Sequence, residues 1–147
     1  VTNLENADLV LIGRKEENNF SEINEIIRNV SSGKNILCLN KDLTFPTEFG
    51  EKAGNGAVVK IIEDELSISI PTLGKSGNHY SSYFIQNKIT VKFVIGDRVD
   101  TDIIFGKNLN AKTFLVSSGI KNYLDVNIAD IQLNKFSDVV PFLAEQS

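Results

Sequence analysis

The sequence predicts an α/β fold with parallel strand pairing, and three observations carry that expectation. Short continuous apolar runs, Val10-Leu11-Ile12 and Ile36-Leu37-Cys38-Leu39, read as strands buried on both faces. Between them Phe20, Ile23, Ile26, Ile27 and Val30 recur at helical spacing. The alternation of strand and helix then continues along the chain, and strands separated by helices pair in parallel.

Each element has its own signal. Gly13 closes the first run and Asn18 to Phe20 interrupts it, while Ser21 and Glu22 suit the start of the first helix and Gly33 its end. Asn40-Lys41-Asp42 stops the second strand. Leu43 to Gly56, with Pro46 and its glycines, reads as loop. Helical spacing resumes from Ala57 to Leu66 through Val58, Ile61 and Ile62. Pro71 to Gly74 reads as a short strand or strand end, and Tyr80, Phe84 and Ile85 as a helix after the Ser76-Gly77-Asn78 turn. Val91 to Ile95 gives the clearest strand pattern and ends on Gly96-Asp97. A helix is expected from Asp102 to Leu109, capped by Thr101 or Asp100, and a strand over Phe114 to Val116. Ser137 to Glu145 reads as a last helix, with Pro141 tolerable only near its start. The polar, turn-rich stretch from Ile70 to Lys75 is the expected seam, giving segments 1–71 and 72–147.

Bulk properties narrow the function. A chain of 147 residues suits one domain or two partial lobes, and its 41% hydrophobic content supports a core without disulfides. The lone cysteine, Cys38, forbids an intrachain disulfide and points to a reducing compartment. A formal charge of -4 argues against a general nucleic-acid binder. No apolar run approaches the roughly 20 residues that span a bilayer, so no membrane role is expected. No signal peptide opens the chain, and the expected location is cytoplasmic. The chain begins at Val1 and holds no methionine, which suits a processed start or an excised piece.

Candidate chemistry collects where strands end, because ligands of open α/β sheets bind beyond the carboxyl ends of the strands. Val94-Ile95-Gly96-Asp97-Arg98-Val99-Asp100-Thr101-Asp102 places three carboxylates there, after a glycine that permits a sharp turn. Such acids suit a hard cation like Mg²⁺. They equally suit helix capping, and for a lone Gly-Asp the capping role prevails. Three carboxylates this close repel one another unless a cation or an arginine such as Arg98 is near. Lys75, between Gly74 and the Ser76-Gly77 turn, could face a phosphoryl group, although in isolation it is an ordinary surface lysine. His79 reads as a surface helix starter and Cys38 as a buried small hydrophobe, neither with a partner for nucleophilic or zinc chemistry. Gly54-Asn55-Gly56 opens a helix but is too short for a nucleotide fingerprint.

Taken together, these pieces resemble a known family. Gly96-Asp97-Arg98-Val99-Asp100-Thr101-Asp102-Ile103 looks like the fourth signature of haloacid dehalogenase-type phosphatases, and Gly74-Lys75 resembles the third. Asn40-Lys41-Asp42, Thr44-Phe45-Pro46 and Gly54-Asn55-Gly56-Ala57 are similar to the cap stretch of the branch typified by 4-nitrophenyl phosphatase and phosphoglycolate phosphatase. Lys107-Asn108, Lys112-Thr113 and Val116-Ser117-Ser118-Gly119 continue the match. The resemblance implies a Rossmann-like core with a mixed α/β cap. Segment 1–71 would be the later part of the cap, and 72–147 the later part of the core. It further implies Mg²⁺ and transfer of the phosphoryl group of a small phosphomonoester to an aspartate, which water then frees. Asp97 would be the metal ligand, Asp102 a supporting acid that orders metal-bound water, and Lys75 the phosphate-facing cation. Asn40, Asp42, Gly54 and Gly56 would lie in the cap near the leaving group.

The departures shape the expectation. The family nucleophile sits in an Asp-x-Asp-Gly segment that these 147 residues do not contain, and the Ser/Thr signature upstream of the cap is also missing. Ser76 stands where the family usually has proline after the lysine, and Ala53 where proline often precedes the glycine pair. Without the nucleophile the family route is closed to this chain alone. Two accounts remain: the later portion of a longer phosphatase, or a catalytically dead relative that binds a macromolecular partner. A receiver-type phosphoacceptor fits less well, because Lys75 precedes Asp97 in the chain. Either account leaves an apolar sheet edge beside Val91 to Ile95, to be covered by a missing amino-terminal half or by another protein.

Overall fold

The computed structural model describes residues 4–15 and 19–144. They form two compact units, Val1–Gly74 and Lys75–Ser147. Asn18 and Glu145, at the edges of two expected elements, lie outside the described residues. No helix among the described residues is long and apolar enough to cross a membrane.

In the first unit, β1 (Leu9–Ile12) and β2 (Asn35–Cys38) pair in parallel, joined by α1 (Phe20–Ser31). Alternate residues decide the burial. Val10, Ile12, Ile36 and Cys38 turn into the core, whereas Leu9 and Leu11 on the opposite face of β1 stay exposed. α1 starts at Asn19, whose side chain accepts the Glu22 backbone N–H at 2.9 Å and so satisfies one orphan donor of the first turn. Its apolar stripe lays Ile23, Ile26, Ile27 and Val30 on that core. The facing helix, α2 (Asn55–Leu66), contributes Val58, Val59 and Ile62. A full burial of this kind is worth about 1.5–3 kcal/mol per side chain. Pro71 to Gly74 contributes only a bridge, Thr72 against Cys38.

The stretch expected to be a loop is a hairpin. β3 (Thr44–Thr47) pairs antiparallel with β4 (Gly50–Ala53), and Pro46 stands opposite Glu51. Proline is tolerated because both strands of a two-stranded ribbon are edges. The turn closes where Thr47 donates its hydroxyl to the Gly50 carbonyl at 2.6 Å, and Gly50 adopts a φ of 106°.

In the second unit, β5 (Phe93–Gly96), β6 (Lys112–Val116) and β7 (Ile131–Leu133) form a parallel sheet in that order. Parallel sheets need cover on both faces. α3 (Asn78–Gln86) and α4 (Ile104–Asn108) meet through aromatic rings, with Tyr80 and Phe84 inclined edge-on toward Phe105 at 5.0 and 5.3 Å. α4 lies on the sheet through Gly106, where a Cβ would strike the methyl of Thr113. From α5 (Val140–Ala144), Phe142 packs on Phe114 at 5.3 Å, and Phe114 in turn meets Phe93 at 5.9 Å. Pro141 sits second in α5, where its missing N–H costs nothing. β5 begins at Phe93, later than the apolar pattern from Val91 suggested, and β7 had no distinct signal in the sequence. One edge of β5 has no paired strand among the described residues.

Asp130 ties the bottom of this sheet. Its carboxylate accepts the Thr113 amide at 2.8 Å and the Thr113 hydroxyl at 2.7 Å, and pairs with Lys107 at 2.5 Å. Lys107 first, then the two Thr113 donors, hold its carboxyl down at about 2, below the ordinary 3.8. A depressed folded-state value means stabilisation that is complete above pH ~4 and lost as pH falls through ~2. The urea midpoints of native and Asp130→Asn proteins should therefore differ near neutral pH and converge as pH drops across that window. A gap that stays constant with pH would show that the charge of Asp130 does not stabilise the fold.

Candidate functional site

The turn leaving β5 is built around Asp102. Gly96 admits it: a Cβ at position 96 would occupy the space of the Asp102 side chain. The chain then enters a π-helical turn, Val99–Ile103, in which the N–H groups of both Asp102 and Ile103 reach the Arg98 carbonyl, at 3.0 and 3.2 Å. This turn runs directly into α4, so the helix starts earlier than expected, and neither Thr101 nor Asp100 caps it. Asp102 reaches back instead, its Oδ2 3.4 Å from the Arg98 amide. Single π turns of this kind are found often at functional sites.

The three acids have different partners. Asp102, only 8% exposed, directs Oδ1 to the Lys75 ammonium at 2.8 Å. Asp100 is held by Arg98 in a two-point clamp, Nε to Oδ1 at 3.1 Å and Nη2 to Oδ2 at 2.9 Å. Asp97 is half-buried at the carboxyl end of β5, and its carboxylate makes no hydrogen bond or ion pair among the described residues. No sequence signal marked Asn122, whose side chain accepts the Val99 amide at 2.7 Å and donates to the Asp97 carbonyl at 3.0 Å.

In the first unit a second knot gathers four of the sequence-derived residues. Gly54 and Gly56 flank the start of α2 and press on the carbonyls of Asp42 and Lys41, where a Cβ on either glycine would collide. The Gly56 amide donates to Asp42 O at 2.9 Å, the Gly54 amide to Leu43 O at 2.7 Å, and the Asn55 side chain to Asn40 O at 2.7 Å. Asn40 in turn donates to the Asp42 carboxylate.

Comparison with known proteins identifies the arrangement. The HAD-hydrolase-like family model matches residues 84–140. The acid sugar phosphatase of Staphylococcus epidermidis is 29% identical over 150 residues, covering 99% of this chain and 58% of that protein. Among solved structures, a double mutant of a thermostable NPPase from Geobacillus stearothermophilus superimposes with a TM-score of 0.73 at 27% identity, over 91% of this chain and 56% of the other. A glycerol phosphate phosphatase from Mycobacterium tuberculosis, in complex with magnesium, gives 0.70 at 22% identity, over 89% and 42%. The chain is similar to haloacid dehalogenase-like hydrolases, in sequence over residues 84–140 and in fold over most of its length. Its resemblance to the 4-nitrophenyl phosphatase branch, first read from the signatures, is shown by the same matches. The chain spans about 58% of the length of the curated relative it matches.

In the second unit Lys75 and Asp102 form one ion pair, and Asp97 follows directly on β5. A divalent cation wants several oxygen ligands. Asp100 and Asp102 are already engaged, and among the described residues no three His, Cys, Asp or Glu side chains converge. Asp97 is the one of the three acids whose carboxylate makes no hydrogen bond or ion pair among the described residues. Cys38 offers no nucleophile: burial pushes its thiol above the usual range and its Sγ faces the Pro71 carbonyl at 3.6 Å. His79 lies exposed in the first turn of α3.

The two contacts of Asp102 differ in what they contribute to folding. The Lys75 side chain is 55% exposed, so Lys75→Met should change unfolding free energy by no more than about 1 kcal/mol. Gly96→Ala forces a methyl group into the Asp102 side chain and should cost about 1–3 kcal/mol. Urea unfolding of both variants checks this. A Gly96→Ala protein as stable as the native one would mean that the β5 turn has slack.

Proposed function

We propose that this chain is the later portion of a cytoplasmic, Mg²⁺-dependent phosphatase for small phosphomonoesters. The aspartate nucleophile would lie outside these 147 residues. The observation that carries this reading is the pairing of Lys75 with Asp102 beside the uncommitted Asp97 carboxylate, at the carboxyl end of a parallel strand. Similarity over nearly the whole chain to an acid sugar phosphatase supports the reaction class.

The roles follow from charge. In phosphoryl transfer a nucleophilic carboxylate oxygen forms a bond to phosphorus as the ester oxygen leaves, and water then releases phosphate. Negative charge spreads over the non-bridging oxygens, and the Lys75 ammonium is the group of this chain that would oppose it. Asp102, with one oxygen on Lys75 and the other near the Arg98 amide, fixes where that ammonium points. Asp97 would hold the cation, which when bound neutralises phosphoryl charge. In the first unit, Asn40, Asp42, Gly54 and Gly56 form a closed knot of hydrogen bonds, so their part in substrate contact would be to shape the segment that meets the leaving group. We further propose that the open edge of β5 is covered by the rest of the polypeptide, because an unpaired edge of a parallel sheet invites association.

Turnover of 4-nitrophenyl phosphate with Mg²⁺ tests the reading. The 147-residue chain alone should show none. In the longer parent polypeptide Asp97→Asn, which keeps the shape and removes the charge, should lower the rate at least about 100-fold, near 2.7 kcal/mol of barrier. Activity of the isolated chain well above that of its own Asp97→Asn variant would overturn the proposal, and so would a parent whose Asp97→Asn form works normally.

A further inference from the structure

The side chain of Asn122 lies in the segment after β6, between the exposed residues Lys121 and Tyr123, yet it is half-buried itself. Because β6 runs parallel to β5 with Gly96 opposite Leu115, the chain leaving β6 passes beside the turn leaving β5. There Asn122 makes two hydrogen bonds to backbone on either side of Arg98: its Oδ1 accepts the Val99 N–H at 2.7 Å, and its Nδ2 donates to the Asp97 carbonyl at 3.0 Å. Only one orientation of the amide satisfies both, which fixes the assignment of oxygen and nitrogen. Val99 is fully buried and opens the π-helical turn, so its N–H has neither water nor an acceptor within the helix.

We propose that Asn122 is a positioning residue that aims the Asp97 carboxylate by locking the backbone from Asp97 to Val99. The proposal rests on Asp97 being the metal ligand. Nothing among the described residues holds that carboxylate directly. Its direction is set by the Cα–Cβ bond, and hence by the peptide groups around it. One side chain from another loop fixes the acceptor before Arg98 and the donor after it. Backbone that is pinned in this way presents the carboxylate in one direction, whereas free backbone presents an ensemble of directions and binds a cation less tightly.

The test uses the parent polypeptide with Asn122→Ala, Asn122→Asp and Asp97→Asn, and reads Mg²⁺ binding by calorimetry beside hydrogen exchange of the Val99 amide. Asn122→Ala should expose the Val99 amide to exchange and weaken Mg²⁺ binding about tenfold, the scale typical of groups that orient a metal ligand. The KM for 4-nitrophenyl phosphate at saturating Mg²⁺ should stay within about twofold, since Asn122 touches no substrate. Asn122→Asp keeps the acceptor and should keep Val99 protected. It loses the donor to Asp97 and should still weaken Mg²⁺ binding, so it carries the test if the alanine variant fails to fold. Folded Asn122 variants that bind Mg²⁺ within about twofold of the native protein, while Asp97→Asn abolishes binding, would overturn the clamp alone. Native Mg²⁺ affinity in Asp97→Asn would overturn the metal-ligand reading and the clamp with it.

Discussion

Close packing of Asp102 against Gly96 is the constraint from which the rest of the site follows. With no Cβ at position 96, the carboxylate of Asp102 can fold back beneath the strand end, where it meets the Arg98 amide and the Lys75 ammonium. That backward reach draws the chain into a π turn, since both Asp102 and Ile103 address the same Arg98 carbonyl. The turn buries Val99 and Ile103 against Leu115 and Ala129, so an apolar cluster anchors the polar one. A side chain at position 96 would disturb the helix start, the ion pair and this cluster together.

The first unit solves a similar problem in a similar way. There too a polar loop follows a parallel strand and must be pressed against a helix start, and glycines make the approach possible. The carbonyls of Lys41 and Asp42 lie where Cβ atoms on Gly56 and Gly54 would be. The Gly54 and Gly56 amides at the start of α2 are thereby committed to the backbone carbonyls of Leu43 and Asp42. Lys41 also pairs with Glu63 at 2.6 Å, and Glu63 accepts the Ile70 amide at 2.7 Å, so the loop is fastened to the far end of α2 as well. The Gly-Asn-Gly segment is therefore a packing device before it is anything else.

How much of this could be read from the sequence depended on whether the determining force was local. β1, β2, β5 and β6 were legible as continuous apolar runs, although β1 and β2 bury only alternate residues and leave Leu9 and Leu11 exposed. α1 and α2 were legible from their 3.6-residue stripes. The β3–β4 hairpin was not: β4 is Gly-Glu-Lys-Ala with every residue exposed, and Pro46 argued against a strand that proved to be an edge. β7 has three residues and depends on Asp130 docking into Thr113, a contact across 17 positions that leaves no periodic trace. The structure brings Lys75, Asp102 and Gly96 together, and the sequence had singled these out from two short contiguous runs, Gly74-Lys75 and Gly96 to Ile103. Asn122 was invisible, because a single asparagine in a polar loop looks like any other turn residue until its two backbone partners are in place.

Charge distribution over Asp97 to Asp102 gives the arrangement its chemical sense. Three carboxylates within one turn of chain would repel each other and raise one another's proton affinity if all were left open. The fold neutralises two of them with different cations: the Arg98 fork takes Asp100 in a fixed plane, and the Lys75 ammonium takes Asp102 as a point charge on a flexible stem. These choices are not interchangeable. Arginine makes a rigid strut that stays with its partner, whereas lysine sets a compact ammonium on a flexible, half-exposed stem beside Asp102. With both neighbours compensated, Asp97 is the one of the three whose carboxylate makes no hydrogen bond or ion pair among the described residues. Sequence proximity alone presents the three acids as equivalent; their partners among the described residues make them different.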